Sequence, residues 1–275
     1  MYAYTKMEVA MKTFLMCEPK YFEVSYVINP WMAANIGKVD KSLATQQWKQ
    51  LYDTLSRKAS IKLLEPVIGL PDMVFTANAG LVSDKKEVII SSFRHTERQG
   101  ESQHYKKFFE DANYQVKQIS SNIIFEGAGD ALFDAQGELW FGSGPRSDVA
   151  AISEISRILQ VKVNGLKLTD PRWYHLDTAF CPLTDGFVIA YKKAFSDESV
   201  TDIQNKFGDK LIWVSDEDAL NFACNAICLD HEVILYRASS ELKATLKRYN
   251  FRVIEIDISE FMKSGGSCKC MTLEI

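Results

Sequence analysis

One grammar, repeated from Met73 onward, constrains this chain more than any other feature: strand, polar turn, strand, amphipathic helix, strand. The first copy reads "MVFTANAGLV", "SDKKE", "VIISSF", a helix near "ESQHYKKFFEDA", then "YQVKQI". Tyr105, Phe108, Phe109 and Ala112 stand at helical spacing and predict one apolar stripe. The second runs from "IIFEGAGDALF" through "DAQGE" and "LWFGS" to a helix with Val149, Ile152, Ile155 and Leu159 on one face, then "VKVNGLKL". The third joins "YHLDTAFCPL", "TDG", "FVIAY", a helix near "SDESVTDIQNKF" and "LIWVS". In the fourth, "NFACNAICL" turns at "DHE" into "VILYR"; Ser239 or Ser240 caps a helix carrying Leu242 and Leu246, and "FRVIEIDI" follows.

A fifth copy is split. Its first strand is "CKCMTLEI", and its other parts stand at the opposite end as "KTFLMCEP", the helix "KSLATQQWKQLYDTLSRKA" and "IKLLEPV". Pairing these pieces closes a ring with few exposed sheet edges. Polar residues open the first strands at a near-constant period: about 48 residues from Asn78 to Glu126, 49 from Glu126 to His175, and 45 from Asn225 to Cys270. The expected fold is therefore a five-bladed, pseudo-symmetric α/β propeller of ββαβ repeats, forming one domain over 1–275. The competing arrangement is a mixed α/β domain with coincidental spacings.

Charge narrows the ligand. A formal net charge of -4 provides no general basic field, so a small molecule or a protein is expected rather than nucleic acid or an anionic membrane. No run of about 18 apolar residues exists, and the opening "MYAYTKMEVAMKTF" carries charges where a secretory signal needs an apolar stretch. A cytoplasmic location is expected. The six cysteines are scattered, and neither they nor the histidines have metal-ligand spacing, so reduced thiols and no metal are expected.

The ring would bring the polar strand openings to one mouth. In "CKCMTLEI" a period of two puts Cys270, Thr272 and Glu274 on one strand face, and the glycines of "SGGSCKC" let backbone approach a ligand. A cysteine nucleophile needs a base or cation nearby. "WYHLDTAF" supplies His175, with Asp177 two residues on to orient it beside a bound cation. His95, His104 and His231 sit in polar turn or helix contexts and read as surface residues. Glu126 and Asp130 in "FEGAGDALF", with Asp72 in "PDMVFTANAG", make a negative mouth suited to a cation. Arg94 and Arg98 in "SSFRHTERQGE" read as loop charges, with Arg98 the candidate clamp for a substrate carboxylate.

Together "FTAN", "EGAGD", "HLD" and "GGSCKCMT" resemble the guanidine-modifying, or pentein, superfamily over about Phe14 to Ile275. The resemblance implies the five-bladed propeller. It makes Cys270 the nucleophile, His175 the general acid and base, Glu126 the carboxylate partner of the guanidinium, and Asp177 a second contact to it. "EGAGD" is one residue longer than the family's usual E-x-G-D, which leaves Glu126 and Asp130 both open for that carboxylate. Cys268 is a bystander or redox partner. Asn78 stands where deiminases carry an aspartate; an amide can accept from a guanidinium and donate to a ureido group. The resemblance thus implies an arginine dihydrolase needing no cofactor, against a single-step deiminase or dimethylarginine hydrolase, a non-catalytic pentein, or a thiol redox protein.

Overall fold

The computed structural model describes residues 11–275; most of the opening stretch weighed as a secretory signal lies outside the described residues. Strand β1 (Thr13–Cys17) pairs in parallel with β2 (Ser60–Leu64), and helix α1 (Lys41–Leu55) makes the crossover that a parallel pair requires. Asp40 caps α1 by accepting from the amides of Ser42 and Leu43, and Ala44, Trp48, Leu51 and Leu55 lie on its buried side.

Each later unit starts with an antiparallel hairpin and ends with a parallel strand after a helix. In the second, β3 (Gly80–Val82) and β4 (Glu87–Ile90) are followed by the short α2 (Thr96–Gln99), α3 (Glu101–Asp111) and β5 (Gln115–Lys117). The third contains β6 (Ala131–Phe133), β7 (Leu139–Ser143), α4 (Ala151–Leu159) and β8 (Val163–Lys167). The fourth contains β9 (Phe180–Pro182), β10 (Val188–Ala190), α5 (Asp197–Phe207) and β11 (Leu211–Trp213). After α6 (Asp216–Leu220), the fifth contains β12 (Ile227–Leu229), β13 (Glu232–Leu235), α7 (Ser240–Arg248) and β14 (Arg252–Glu255). Finally α8 (Ser259–Met262) leads to β15 (Leu273–Glu274), which returns antiparallel to β1 with Phe14 opposite Glu274 and Leu15 opposite Leu273.

Among the described residues the result is five three-stranded sheets, each with the first strand of its repeat on one edge and the strand after the helix on the other. This is the expected propeller, closed by strands from both ends of the sequence. Tyr105 and Phe109 are buried on α3, and Ser239 is the residue that caps α7, accepting from the amide of Leu242. Val149 departs from expectation: it precedes α4 and is exposed, leaving Ala151, Ile155 and Leu159 as the buried stripe.

Three of the polar residues expected on strand openings lie one step earlier: Asn78 within the 3₁₀ turn Thr76–Ala79, and Glu126 and His175 just before the turns Gly127–Gly129 and Leu176–Thr178. Cys270 does not share a strand face with Thr272 and Glu274. It sits in a turn in which the Thr272 amide donates to the Lys269 carbonyl at 3.0 Å, and only Leu273 and Glu274 are strand. Near the axis the inner strands are two or three residues long, so the chain turns tightly there and satisfies its polar groups from blade to blade. The Ala77 amide donates to the Cys270 carbonyl at 3.0 Å, Asn78 Nδ2 to the Glu126 carbonyl at 2.9 Å, and the Leu176 amide to Asp130 Oδ1 at 3.0 Å. Asn225 Nδ2 reaches the Asp177 carbonyl at 3.1 Å, while Asn225 Oδ1 accepts from the Cys270 amide at 3.0 Å. These bonds make a circuit through all five units.

Candidate active site

The turns deliver a thiol, an imidazole and carboxylates to the ring's centre. Cys270, His175, Glu126 and Asp177 are all at most 3% exposed. The Cys270 sulfur accepts from Asn225 Nδ2 at 3.1 Å and faces Asp177 Oδ2 at 3.5 Å. Burial, and then the Asp177 carboxylate, push its thiol well above the ordinary range. Asp177 is itself pushed up to about 7 by burial, against the opposing pull of Lys269. Its other oxygen, Oδ1, is buried with no protein partner, which leaves it an unused acceptor.

His175 Nε2 meets Glu126 Oε2 at 2.7 Å, and Asp130 Oδ2 lies farther off at 3.9 Å. Burial opposes ionisation of Glu126, but the Arg146 guanidinium at 2.8 Å and then His175 hold its carboxyl well below the usual range. Burial lowers the imidazole to about 4, with Arg146 and Arg98 adding to the effect against Glu126. The resting pair is therefore a carboxylate and a neutral imidazole. Glu126 Oε1 also accepts from the Arg94 amide at 3.1 Å. Both its oxygens are thus engaged by groups of the protein itself.

Asp130 resolves differently from Glu126. Burial pushes its carboxyl well above the usual range, and its oxygens meet the Leu176 amide and the Ser147 hydroxyl at 3.0 and 2.7 Å. It fastens the His175 turn to the neighbouring blade. Asp72 accepts from the Tyr26 hydroxyl at 2.8 Å and from Ser264 at 3.4 Å. Arg98 departs from expectation: it lies on α2, is buried, and makes two 2.8 Å bonds to Glu101, one of 2.9 Å to Asn78 Oδ1 and one of 3.3 Å to the Asp72 carbonyl. With these donors occupied inside the protein, it is not a free carboxylate clamp. Cys268 is buried, its thiol pushed up to about 12 by burial, and all six cysteines are unpaired.

Several site residues escaped the sequence reading. Arg146 bridges Glu126 and the Ile28 carbonyl, at 2.8 and 3.1 Å, over the Tyr174 ring. Asn225 had marked the repeat but not the site. His95, read as a surface residue, is half-buried in the field of Arg146 and Glu126. The irregular segment between β1 and α1 was unassigned. Its Tyr26 and Ile28 reach Asp72 and Arg146, Asn29 Nδ2 bonds the Ser264 carbonyl at 3.0 Å, and Trp31 bonds the Arg172 carbonyl and packs on Phe222. This segment ties together elements from around the ring.

Comparison with known proteins places this geometry. The family model for N,N dimethylarginine dimethylhydrolase, eukaryotic, matches residues 18–275. The chain belongs to this family of guanidine-modifying penteins. As a member of the dimethylarginine dimethylhydrolase family it is 38% identical over 265 residues to the N(G),N(G)-dimethylarginine dimethylaminohydrolase of Mycobacterium tuberculosis, covering 96% of this chain and 86% of that one. It is 44% identical over 264 residues to the bifunctional arginine dihydrolase/ornithine cyclodeaminase AgrE of Nostoc sp.. That alignment takes in 95% of this chain but only 37% of the Nostoc protein. The crystal structure of the substrate-bound N-terminal domain of ArgZ, an arginine dihydrolase of cyanobacteria, superposes with a TM-score of 0.94 at 44% identity. The match covers 96% of this chain and 97% of that domain.

Proposed function

We propose that this protein is a cysteine hydrolase of the guanidinium of L-arginine, an arginine dihydrolase releasing L-ornithine, two ammonia and carbon dioxide. One observation carries the reading: the match to the substrate-bound ArgZ dihydrolase domain is nearly complete from both sides, at 44% identity. The chemistry of the site supports it. A guanidinium entering beside the sulfur meets the unpartnered Asp177 Oδ1, and its positive charge lowers the Cys270 thiol's pKa where burial alone raises it. His175 takes the thiol proton as the thiolate adds to the guanidinium carbon, and returns it to the terminal nitrogen as that C–N bond breaks and ammonia leaves. Water, deprotonated by His175, then resolves the covalent thiouronium to citrulline.

A second addition of the thiolate, now to the ureido carbon, expels the second ammonia. A second water frees a carbamate that collapses to ornithine and carbon dioxide. Glu126, kept ionised by Arg146, orients the imidazole through both steps. The proposal includes one catalytic domain over 1–275 with no organic cofactor. It also includes a cytoplasmic location, consistent with six free thiols and with no helix, among the described residues, long and apolar enough to cross a membrane.

The test is to incubate purified protein with labelled L-arginine and follow ornithine, citrulline and ammonia, wild type beside Cys270→Ala. Two ammonia per ornithine, lost in the variant, is the expected result. Citrulline accumulating without ornithine would instead support the single-step reading that the names of the family and the M. tuberculosis relative suggest.

A further inference from the structure

We infer that Asn225 is a catalytic residue: its side-chain amide holds the Cys270 sulfur in place and gives the thiolate a hydrogen bond, both when it attacks and when it leaves. The inference rests on Cys270 being the nucleophile, as the reading above has it, and not on which product is released. Asn225 lies two residues before β12, about 50 residues after His175 and 45 before Cys270, on the period that brings those two residues to the centre of the ring.

Three bonds define the contact. Asn225 Oδ1 accepts from the Cys270 amide at 3.0 Å, and Asn225 Nδ2 donates to the Asp177 carbonyl and to the Cys270 sulfur, each at 3.1 Å. A backbone amide only donates and a carbonyl only accepts, so these two neighbours allow the side chain one orientation. That orientation is set without the sulfur. The sulfur therefore meets an N–H whatever its own protonation state. Asn225 and Cys270 are both buried, and a hydrogen bond is stronger in such surroundings than in water.

The sulfur needs this donor unequally through the reaction. A thiol is a weak acceptor and a thiolate a strong one, whereas the sulfur of a cationic thiouronium has shared its electron pair with carbon. The amide thus favours the thiolate over the thiol before attack. It favours the thiolate over the adduct when water has added, the C–S bond breaks and its electron pair returns to sulfur. Burial and then Asp177 push the thiol up; the Ser267 backbone, the Asn225 amide and the Lys269 charge pull against them. Tyr174 also feels the charge on this sulfur.

The test is alkylation by iodoacetamide between pH 6 and 10, which needs no substrate, in wild type, Asn225→Leu and Asn225→Ala. Because six cysteines are free, modification is read on the peptide carrying Cys270. Leucine keeps the volume without the bonds, and alanine leaves room for water to reach the Cys270 amide and the Asp177 carbonyl. Thermal unfolding identifies the folded variants. Loss of the bond should raise the pH midpoint of alkylation by about one unit, a roughly tenfold drop in thiolate below it. The more basic thiolate is about threefold more nucleophilic, so alkylation at pH 7.5 should slow by about threefold. On L-arginine kcat should fall further, since thiolate departure loses the same bond.

An unchanged midpoint in a folded variant overturns the inference even if activity falls, because a merely structural role lowers rates without moving the midpoint. Should neither variant fold, wild type labelled with nitrogen-15 decides: the Asn225 side-chain resonances should move when Cys270 is alkylated, and unmoved resonances overturn the inference. Wild type that makes no ornithine overturns the dihydrolase reading alone, since the alkylation midpoint does not depend on turnover. A Cys270→Ala protein that still consumes L-arginine overturns both.

Discussion

At the scale of single residues, the site concentrates groups whose preferred protonation states are set by burial. Asp177 is the sharpest case, with its pKa pushed up to about 7 by desolvation. The unfolded chain ionises this carboxyl near pH 4, whereas the folded chain keeps the proton until about 7. Asp177 therefore removes stability progressively between those values and by its full amount above them. Asp177→Asn should be more stable than wild type at pH 8, by on the order of 2–4 kcal/mol, and nearly equal to it at pH 4, while losing activity. Denaturant titration across this range, with no gain at pH 8, would contradict the assignment. Cys270 and His175, each singled out from one short motif, are both found buried in the structure. Arg146 was not legible in the sequence, because nothing in "GSGPRSD" shows that its partner is Glu126, 20 residues earlier and in another element. Arg98 was misread for the converse reason: Glu101 stands three positions away, but only burial of both turns the pair into an internal fixture.

At the scale of elements, helices and blade order were readable because amphipathic stripes and polar turns leave periodic traces. The 3₁₀ turns were not, since three residues are too few to show a period and their apolar neighbours imitate a strand. Yet these turns carry the polar groups. Gly129 illustrates how little room they leave, with a built methyl group 2.3 Å from an Asn78 nitrogen already bonded to Glu126. Gly129→Ala should cost about 1–3 kcal/mol through overpacking and lower kcat by about a hundredfold through displacement of Asn78 and His175. Thermal unfolding and steady-state kinetics would check this; unaltered kcat in a folded variant would mean the turn has slack that the geometry denies.

At the scale of the whole molecule, the pairing of β1 with β15 is what makes a ring of five sheets out of four complete repeats and two fragments. The period of polar residues made this closure readable before any coordinates, because quasi-equivalent positions must recur when identical units surround one axis. Leu273 sits in that seam, 2% exposed and opposite Leu15. Leu273→Ala should cost about 2–4 kcal/mol, measured by denaturant unfolding, and heat inactivation should track the loss. A cost below 1 kcal/mol would show that the seam contributes little to holding the ring.

The same seam has a mechanical meaning. The antiparallel register of β1 and β15 brings Thr13 and Ile275 side by side, joined by the bond from the Ile275 amide to the Thr13 carbonyl. Tension applied at those two residues would peel the strands apart one bond at a time, like a zip, rather than shear the whole row at once. The first thing to yield would be the stretch that anchors Cys270, so a pull too weak to unravel any helix-bearing blade would already disarm the thiol.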